Sequence, residues 1–140
     1  MYLLDTNVVS ELRKIRLGKA APQVAKWAET VEAGDLFLSV ITVQELEIGV
    51  LLAERRDPAQ GAVLRAWLVE RALPAFEGRI LNVDRIVAQR SAQLHVPNPR
   101  PVRDGLIAAT ALVHKMTVVT RNVADFEPMG VMLLNPWDDT

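Results

Sequence analysis

Tyr2-Leu3-Leu4-Asp5-Thr6-Asn7 decides how the rest of the chain is read. Three apolar residues run into an acid and two turn formers, the pattern of a short strand feeding a helix with Thr6 or Asn7 near the cap. The same arrangement recurs downstream. Residues 36–40 are a β-type run followed by a helical stretch at 42–54. Residues 79–83 form another short strand followed by a helix at 84–94. Strands at 117–120 and 131–134 complete the series. Further helices are predicted at 22–31, with Pro22 in the first turn and Gly34 beyond the end, and at 58–73, where Val63, Leu64, Trp67, Leu68 and Leu73 keep a helical spacing. An Ala-rich helix spans 102–114, and Pro97, Pro99 and Pro101 mark the loop before it. Strands alternating with helices predict an α/β fold with a mostly parallel central sheet and helices on both faces. In such sheets, active sites gather beyond the carboxyl ends of the strands.

At 140 residues, with no repeat, low-complexity tract or flexible linker, the sequence predicts a single domain over 1–140. Half of the residues are hydrophobic, enough for a substantial core and a hint of a buried dimer or partner face. The absence of Cys excludes disulfides, thiolate metal sites and cysteine nucleophiles. No basic segment precedes an apolar run at the start, and the apolar stretch 106–113 is too short to span a bilayer. A cytoplasmic protein without membrane association is therefore expected. Sixteen basic and seventeen acidic residues give a net charge of −1, so any nucleic-acid contact requires local positive charge or a partner that supplies it.

Four acids fall at corresponding places on this map. Asp5 lies just past the first strand, Glu45 in the first turn after the second, Asp104 in the first turn of the Ala-rich helix, and Asp125 shortly after the strand at 117–120. In a parallel sheet all four can lie at one edge. Each has an ordinary explanation: Asp5 a turn, Glu45 a capping box with Thr42, Asp104 the positive end of its helix, Asp125 a loop, with Arg103 or Arg121 as ion-pair partners. Taken together they demand more. Two carboxylates ~5 Å apart repel by about 3 kcal/mol at an effective dielectric of 20, so several in one cluster call for a cation. An oxygen-only donor set suits Mg²⁺ or Mn²⁺ rather than Zn²⁺. Such ions hydrolyse phosphodiesters by activating water and neutralising charge on the phosphate.

The motifs that carry these acids resemble those of PIN domains. Leu3-Leu4-Asp5-Thr6-Asn7 is similar to the family's opening signature, and Leu38-Ser39-Val40-Ile41-Thr42-Val43-Gln44-Glu45-Leu46, with Gly49 following, to its second block. Asp104-Gly105-Leu106-Ile107-Ala108-Ala109-Thr110-Ala111 resembles the third, Thr120-Arg121-Asn122-Val123-Ala124-Asp125-Phe126 the fourth, and Leu134-Asn135-Pro136-Trp137 the closing segment. Order and spacing agree from end to end, and the nearest likeness is to VapC-like toxins of the FitB type. The resemblance implies a three-layer α/β/α sandwich and Mg²⁺- or Mn²⁺-dependent endonucleolytic cleavage of RNA. It implies Asp5 and Asp104 as the most direct metal ligands, Glu45 completing the shell or orienting a metal-bound water, and Asp125 supporting a second metal or the attacking water. Thr6, Thr120 and Asn122 match polar positions that hold the acids or contact substrate. It further implies a homodimer, and a hetero-oligomer with a cognate antitoxin of a type II toxin–antitoxin pair. Such an antitoxin lays a helix in a hydrophobic groove and points a basic side chain at the acids. Gly105 stands where a larger residue is common, which predicts a looser first turn.

Other features are weaker. Arg13, Lys14, Arg16 and Lys19 form either a phosphate-guiding rim or a solvated helix end. Trp27 and Trp67 read as core or interface, since stacking platforms are clustered aromatics. The helix at 42–54 carries Leu46, Val50, Leu51 and Leu52, mostly for the core and in part for a partner groove. His95 and His114 lie away from the acidic motifs and are given no catalytic role. Two rival functions remain. A phosphohydrolase with Asp5 as nucleophile lacks a second Asp two residues on and a Lys to balance a phosphoaspartate. A non-catalytic PIN-fold module binding RNA or protein would keep the acids without turnover.

Overall fold

The computed structural model describes residues 1–138. Its centre is β1 (Tyr2–Leu4), paired in parallel on one side with β2 (Leu36–Ser39) and on the other with β4 (Thr117–Val119). β3 (Ile80–Leu81) and β5 (Leu133–Leu134) form the two edges, giving the order β3-β2-β1-β4-β5. All four pairings are parallel, so the sheet of the described residues is wholly rather than mostly parallel.

The period-2 alternation of β1 separates two cores. Leu4 faces one layer with Val8 and Val9 of α1 (Thr6–Arg13) and Leu46 and Val50 of α3 (Val40–Arg56). Leu3 faces the other with Ile107, Ala108 and Ala111 of α7 (Val102–His114) and Phe126 of α8 (Val123–Phe126). Fully burying an aliphatic side chain of this kind contributes roughly 1.5–3 kcal/mol. The result is the expected α/β/α sandwich. On the Leu4 side, α2 (Pro22–Thr30) brings Trp27 edge-on to Tyr2, with ring centroids 5.7 Å apart. α4 (Pro58–Trp67) runs back along α3 and continues through a π-helical turn, Leu68–Ala72, into the short α5 (Leu73–Ala75). α6 (Arg85–Leu94) packs on α7.

Two sequence expectations change. The cap of α1 is Asp5 itself, whose carboxylate accepts from the Thr6 N–H at 2.8 Å. α3 begins two residues early, at Val40, capped by Ser39, whose hydroxyl accepts from the Ile41 N–H at 3.0 Å. Glu45 therefore lies in the second turn and forms no capping box with Thr42, whose fully buried hydroxyl has no partner among the described residues. No helix among the described residues is long and apolar enough to cross a membrane.

The chain runs from β1 outward through β2 and β3, then returns across the sheet to β4. The reversal falls between β1 and β4, and a crevice opens beyond the strand ends at such a point. Asp5 and Thr120 follow those two strands directly.

Candidate active site

Asp5 is fully buried. Its backbone N–H stays in register with the sheet, donating to the Val119 carbonyl at 2.9 Å. One carboxylate oxygen caps α1, and the other accepts from the Thr120 hydroxyl at 2.7 Å. Thr120 in turn accepts from the Asn122 N–H at 3.0 Å, which draws the loop after β4 toward Asp5. Thr6, the first residue of α1, donates its hydroxyl to Glu45 on α3. Asp104, in the first turn of α7, is almost completely buried.

One guanidinium joins these acids. Arg103 donates from Nε to Glu45 at 2.6 Å, from Nη1 to Asp104 at 2.7 Å, and from Nη2 to Asp5. Charge-assisted contacts of this kind are the strong members of their class. Burial acts to raise the Glu45 carboxyl, but hydrogen bonds from Arg103 and Thr6, with the Arg103 charge, outweigh it and hold the group below its ordinary value. Burial likewise acts to lower Arg103, and its three carboxylate partners overcome this and push it up. Glu45 and Arg103 are thus held ionised by one another. Three carboxylates and one guanidinium sum to a charge of −3 + 1 = −2.

Three of the four predicted acids, Asp5, Glu45 and Asp104, therefore meet at one place, with Thr6 and Thr120 holding them. Asp125 sits in α8, exposed and outside the Arg103 network, its backbone N–H donating to the Asn122 carbonyl at 3.1 Å. The donor set, all oxygen and largely buried, fits a hard divalent cation. Yet no group of three acids or histidines among the described residues is arranged to hold an ion as it stands; Arg103 bridges the three acids instead. The sequence marked Arg103 only as an ordinary ion-pair partner. Its proximity to Asp104 was visible, but its reach to Asp5 and Glu45 depends on the fold. Arg121, the other candidate partner, instead lies over the Trp137 ring at 5.1 Å.

His95 packs against the start of α7. Its Nδ1 accepts from the Arg100 N–H at 3.0 Å, and a Cβ on Gly105 would stand 3.1 Å from its Nε2 and 3.2 Å from the Ser91 hydroxyl oxygen. Glycine at 105 is a close-approach residue for α6 and the loop beyond it, not a loosening of α7.

The acid cluster adjoins a depression lined by Thr6, Ser10, Arg13, Lys14, Glu45 and Trp67, about 330 Å³ in volume. Arg13 lies over the Trp67 ring at 5.9 Å. Trp67 is half-buried, packing on the core with one side while lining this surface with the other.

A five-stranded parallel sheet between helical layers, with acids gathered at its reversal point, defines an α/β domain with an acidic site. The PIN domain model matches residues 2–127, and the chain belongs to the PIN-domain family. It is 38% identical over 144 residues to Toxin FitB of Neisseria gonorrhoeae, covering 99% of this chain and 100% of that protein. The crystal structure of FitAcB from the same organism superposes with a TM-score of 0.88, at 38% identity, over 98% of this chain and 99% of that one. VapC ribonuclease Y4jK of Sinorhizobium fredii is 36% identical over 143 residues, with 99% of each chain covered. A toxin–antitoxin complex from Klebsiella pneumoniae contains a chain 26% identical with a TM-score of 0.66, 99% of each chain being covered.

Proposed function

We propose that this chain is a metal-dependent endoribonuclease, a single PIN domain over 1–140 acting as the toxin of a type II toxin–antitoxin pair. The observation that carries the reading is the convergence of Asp5, Glu45 and Asp104, from three separate elements, at the carboxyl edge of a parallel sheet. The ribonuclease and toxin names of full-length relatives at 36% and 38% identity support it. Asp5, Asp104 and Glu45 would hold Mg²⁺ or Mn²⁺, and Asp125 would serve from the rim. When bound, the ion activates a water and neutralises charge on the phosphate. Thr120 and Thr6 fix the acids so that the site needs little reorganisation. Arg13 and Lys14, beside Glu45 in the adjoining depression, supply the local positive charge that a net charge of −1 otherwise withholds from RNA.

Two surfaces suit protein partners. A groove of about 490 Å³ between α1 and α4, lined by Leu17, Val63 and Trp67 with Arg13, Arg16 and Arg71, accommodates an antitoxin helix. Ile48, Leu51 and Leu52 form an exposed apolar stripe on α3 suited to a homodimer.

The test is cleavage of a panel of cellular RNAs by purified, antitoxin-free protein with Mg²⁺, Mn²⁺ or EDTA, beside Asp5→Asn. Metal-dependent cleavage that Asp5→Asn lacks supports the reading. A second reading, a PIN-fold binding module without turnover, is favoured by the position of Arg103 among the acids. RNA binding without cleavage under either metal selects it.

A further inference from the structure

The three acids already share a cation, and it is part of the chain. Arg103 presents three nitrogens, Nε, Nη1 and Nη2, and each is committed to a different carboxylate, on Glu45, Asp104 and Asp5. A guanidinium so placed uses the oxygens that a divalent ion would need. The two cations also repel each other, which opposes their lying together within the same ring of carboxylates.

We propose that Arg103 is a tethered counter-cation that closes the acid cluster in the metal-free protein and must swing out for Mg²⁺ or Mn²⁺ to enter. The proposal rests on the metal-dependent reading above. Charge balance favours the exchange: the cluster carries −3 from its acids, so Arg103 leaves −2 and a divalent ion leaves −1. The side chain is suited to make the exchange by rotation about its own bonds. It leaves the first turn of α7, its stem has several rotatable bonds, and it is 32% exposed, whereas Asp5 beneath it is 1% exposed. Asp5 is meanwhile held by contacts that do not involve Arg103, from Thr120 and from the Thr6 N–H. Departure of the guanidinium therefore leaves a positioned carboxylate behind. Arginine stays protonated across the physiological range, so the guanidinium remains a cation throughout the exchange.

A closed form in competition with the ion reduces apparent affinity by the fraction of molecules that are open. Removing the guanidinium removes that reduction. Calorimetric titration of the purified full-length chain with Mn²⁺ is expected to show binding about tenfold tighter for Arg103→Gln than for wild type. Tightening of ~3-fold or more upholds the exchange; a smaller change, or weaker binding, overturns it. Asp5→Asn separates the two levels of the argument. Equal Mn²⁺ binding by wild type and Arg103→Gln, lost in Asp5→Asn, leaves the metal site standing and overturns the exchange alone. No binding by either chain overturns the metal reading and the exchange with it. A second measurement needs only the wild-type fold. Saturating Mg²⁺ should move the Arg103 Nε–H resonance from its carboxylate-bonded position toward that of a solvated guanidinium, and an unmoved resonance overturns the proposal.

Discussion

Thr120 and Asp5, 115 positions apart, meet through a hydrogen bond of 2.7 Å in which the hydroxyl donates to the carboxylate. Both residues are fully buried. The contact ties the end of β4 to the end of β1 at the point where the order of strands reverses. It also occupies Oδ2 of Asp5, so that Oδ1 is the oxygen turned toward Arg103. A buried carboxylate whose two oxygens are both engaged is fixed in orientation, which is what a pre-formed cation site requires.

Thr120→Val keeps the shape and removes that donor. A buried acceptor left without its partner costs about 1–3 kcal/mol, so urea denaturation should show a loss of that size, while Thr120→Ser, which keeps the hydroxyl and loses one buried methyl, should cost about 0.8 kcal/mol. Equal stability of the Val and Thr chains would mean that the hydroxyl does not hold Asp5.

The acids should not contribute equally to RNA cleavage. Asp5→Asn and Asp104→Asn each remove charge from the convergence point, where a bound ion supplies several kcal/mol, so rates should fall about a hundredfold or more. Asp125 is exposed and stands outside the Arg103 network. Asp125→Asn should cost no more than about tenfold. Initial rates on one RNA substrate, with circular dichroism to verify folding, decide between this order and three equal losses.

The strands and their parallel sheet were readable from short apolar runs ending in acids or turn formers, because strand, turn and helix signals are local; the strand order, and with it the reversal point, was not. Their limits are equally physical. Val40-Ile41-Thr42-Val43 is rich in β-branched residues, yet it is the first turn of α3: the Ser39 cap and burial of Leu46 and Val50 override local preference. α8 is four residues long, too short for a helical period to register, so Asp125 read as a loop residue. The convergence of Asp5, Glu45 and Asp104 followed from parallel topology. The spanning of all three by Arg103 did not, because side-chain reach between elements is set only once the layers pack. His95 was set aside by its distance in sequence, and the missing Cβ at Gly105 was the one local sign of a close approach there.

Gly61 marks a second close approach, where α4 folds back on α3. A Cβ at this position would lie 2.4 Å from Glu54 Cα and 2.6 Å from its backbone nitrogen. Backbone cannot move aside as a flexible side chain does. Gly61→Ala should therefore destabilise the chain by about 1–3 kcal/mol or more, despite the higher helix propensity of alanine. It should also disturb the bridges from Arg65 to Glu47, at 2.6 Å, and Glu54, at 3.0 Å. Gly49, around which an added Cβ meets nothing within 4 Å, is the control: Gly49→Ala in the same helix pair should be neutral or stabilising. Thermal melting of the two variants reads the contrast directly.

The acid limb of stability should run in part through Glu11. Its carboxylate accepts from the Ala21 N–H at 2.7 Å and pairs with Lys14 at 3.3 Å, fastening the end of α1 to the start of α2. The Ala21 hydrogen bond is the main reason that its carboxyl lies below the ordinary value of 4.5; burial opposes this, and Lys14 and Arg121 add to it. A group whose folded pKa is depressed binds its proton more readily in the unfolded chain. Its contribution is therefore complete above about 4.5 and is lost as pH falls through the lower folded value. Glu11→Gln can still accept from Ala21 but as a neutral group, so it should cost about 1 kcal/mol at pH 7. The gap between wild type and variant should then narrow steadily as pH drops below about 4.5. Urea titrations across that range test both size and sign, and a gap of constant width would show that the Glu11 charge makes no contribution to the junction between α1 and α2.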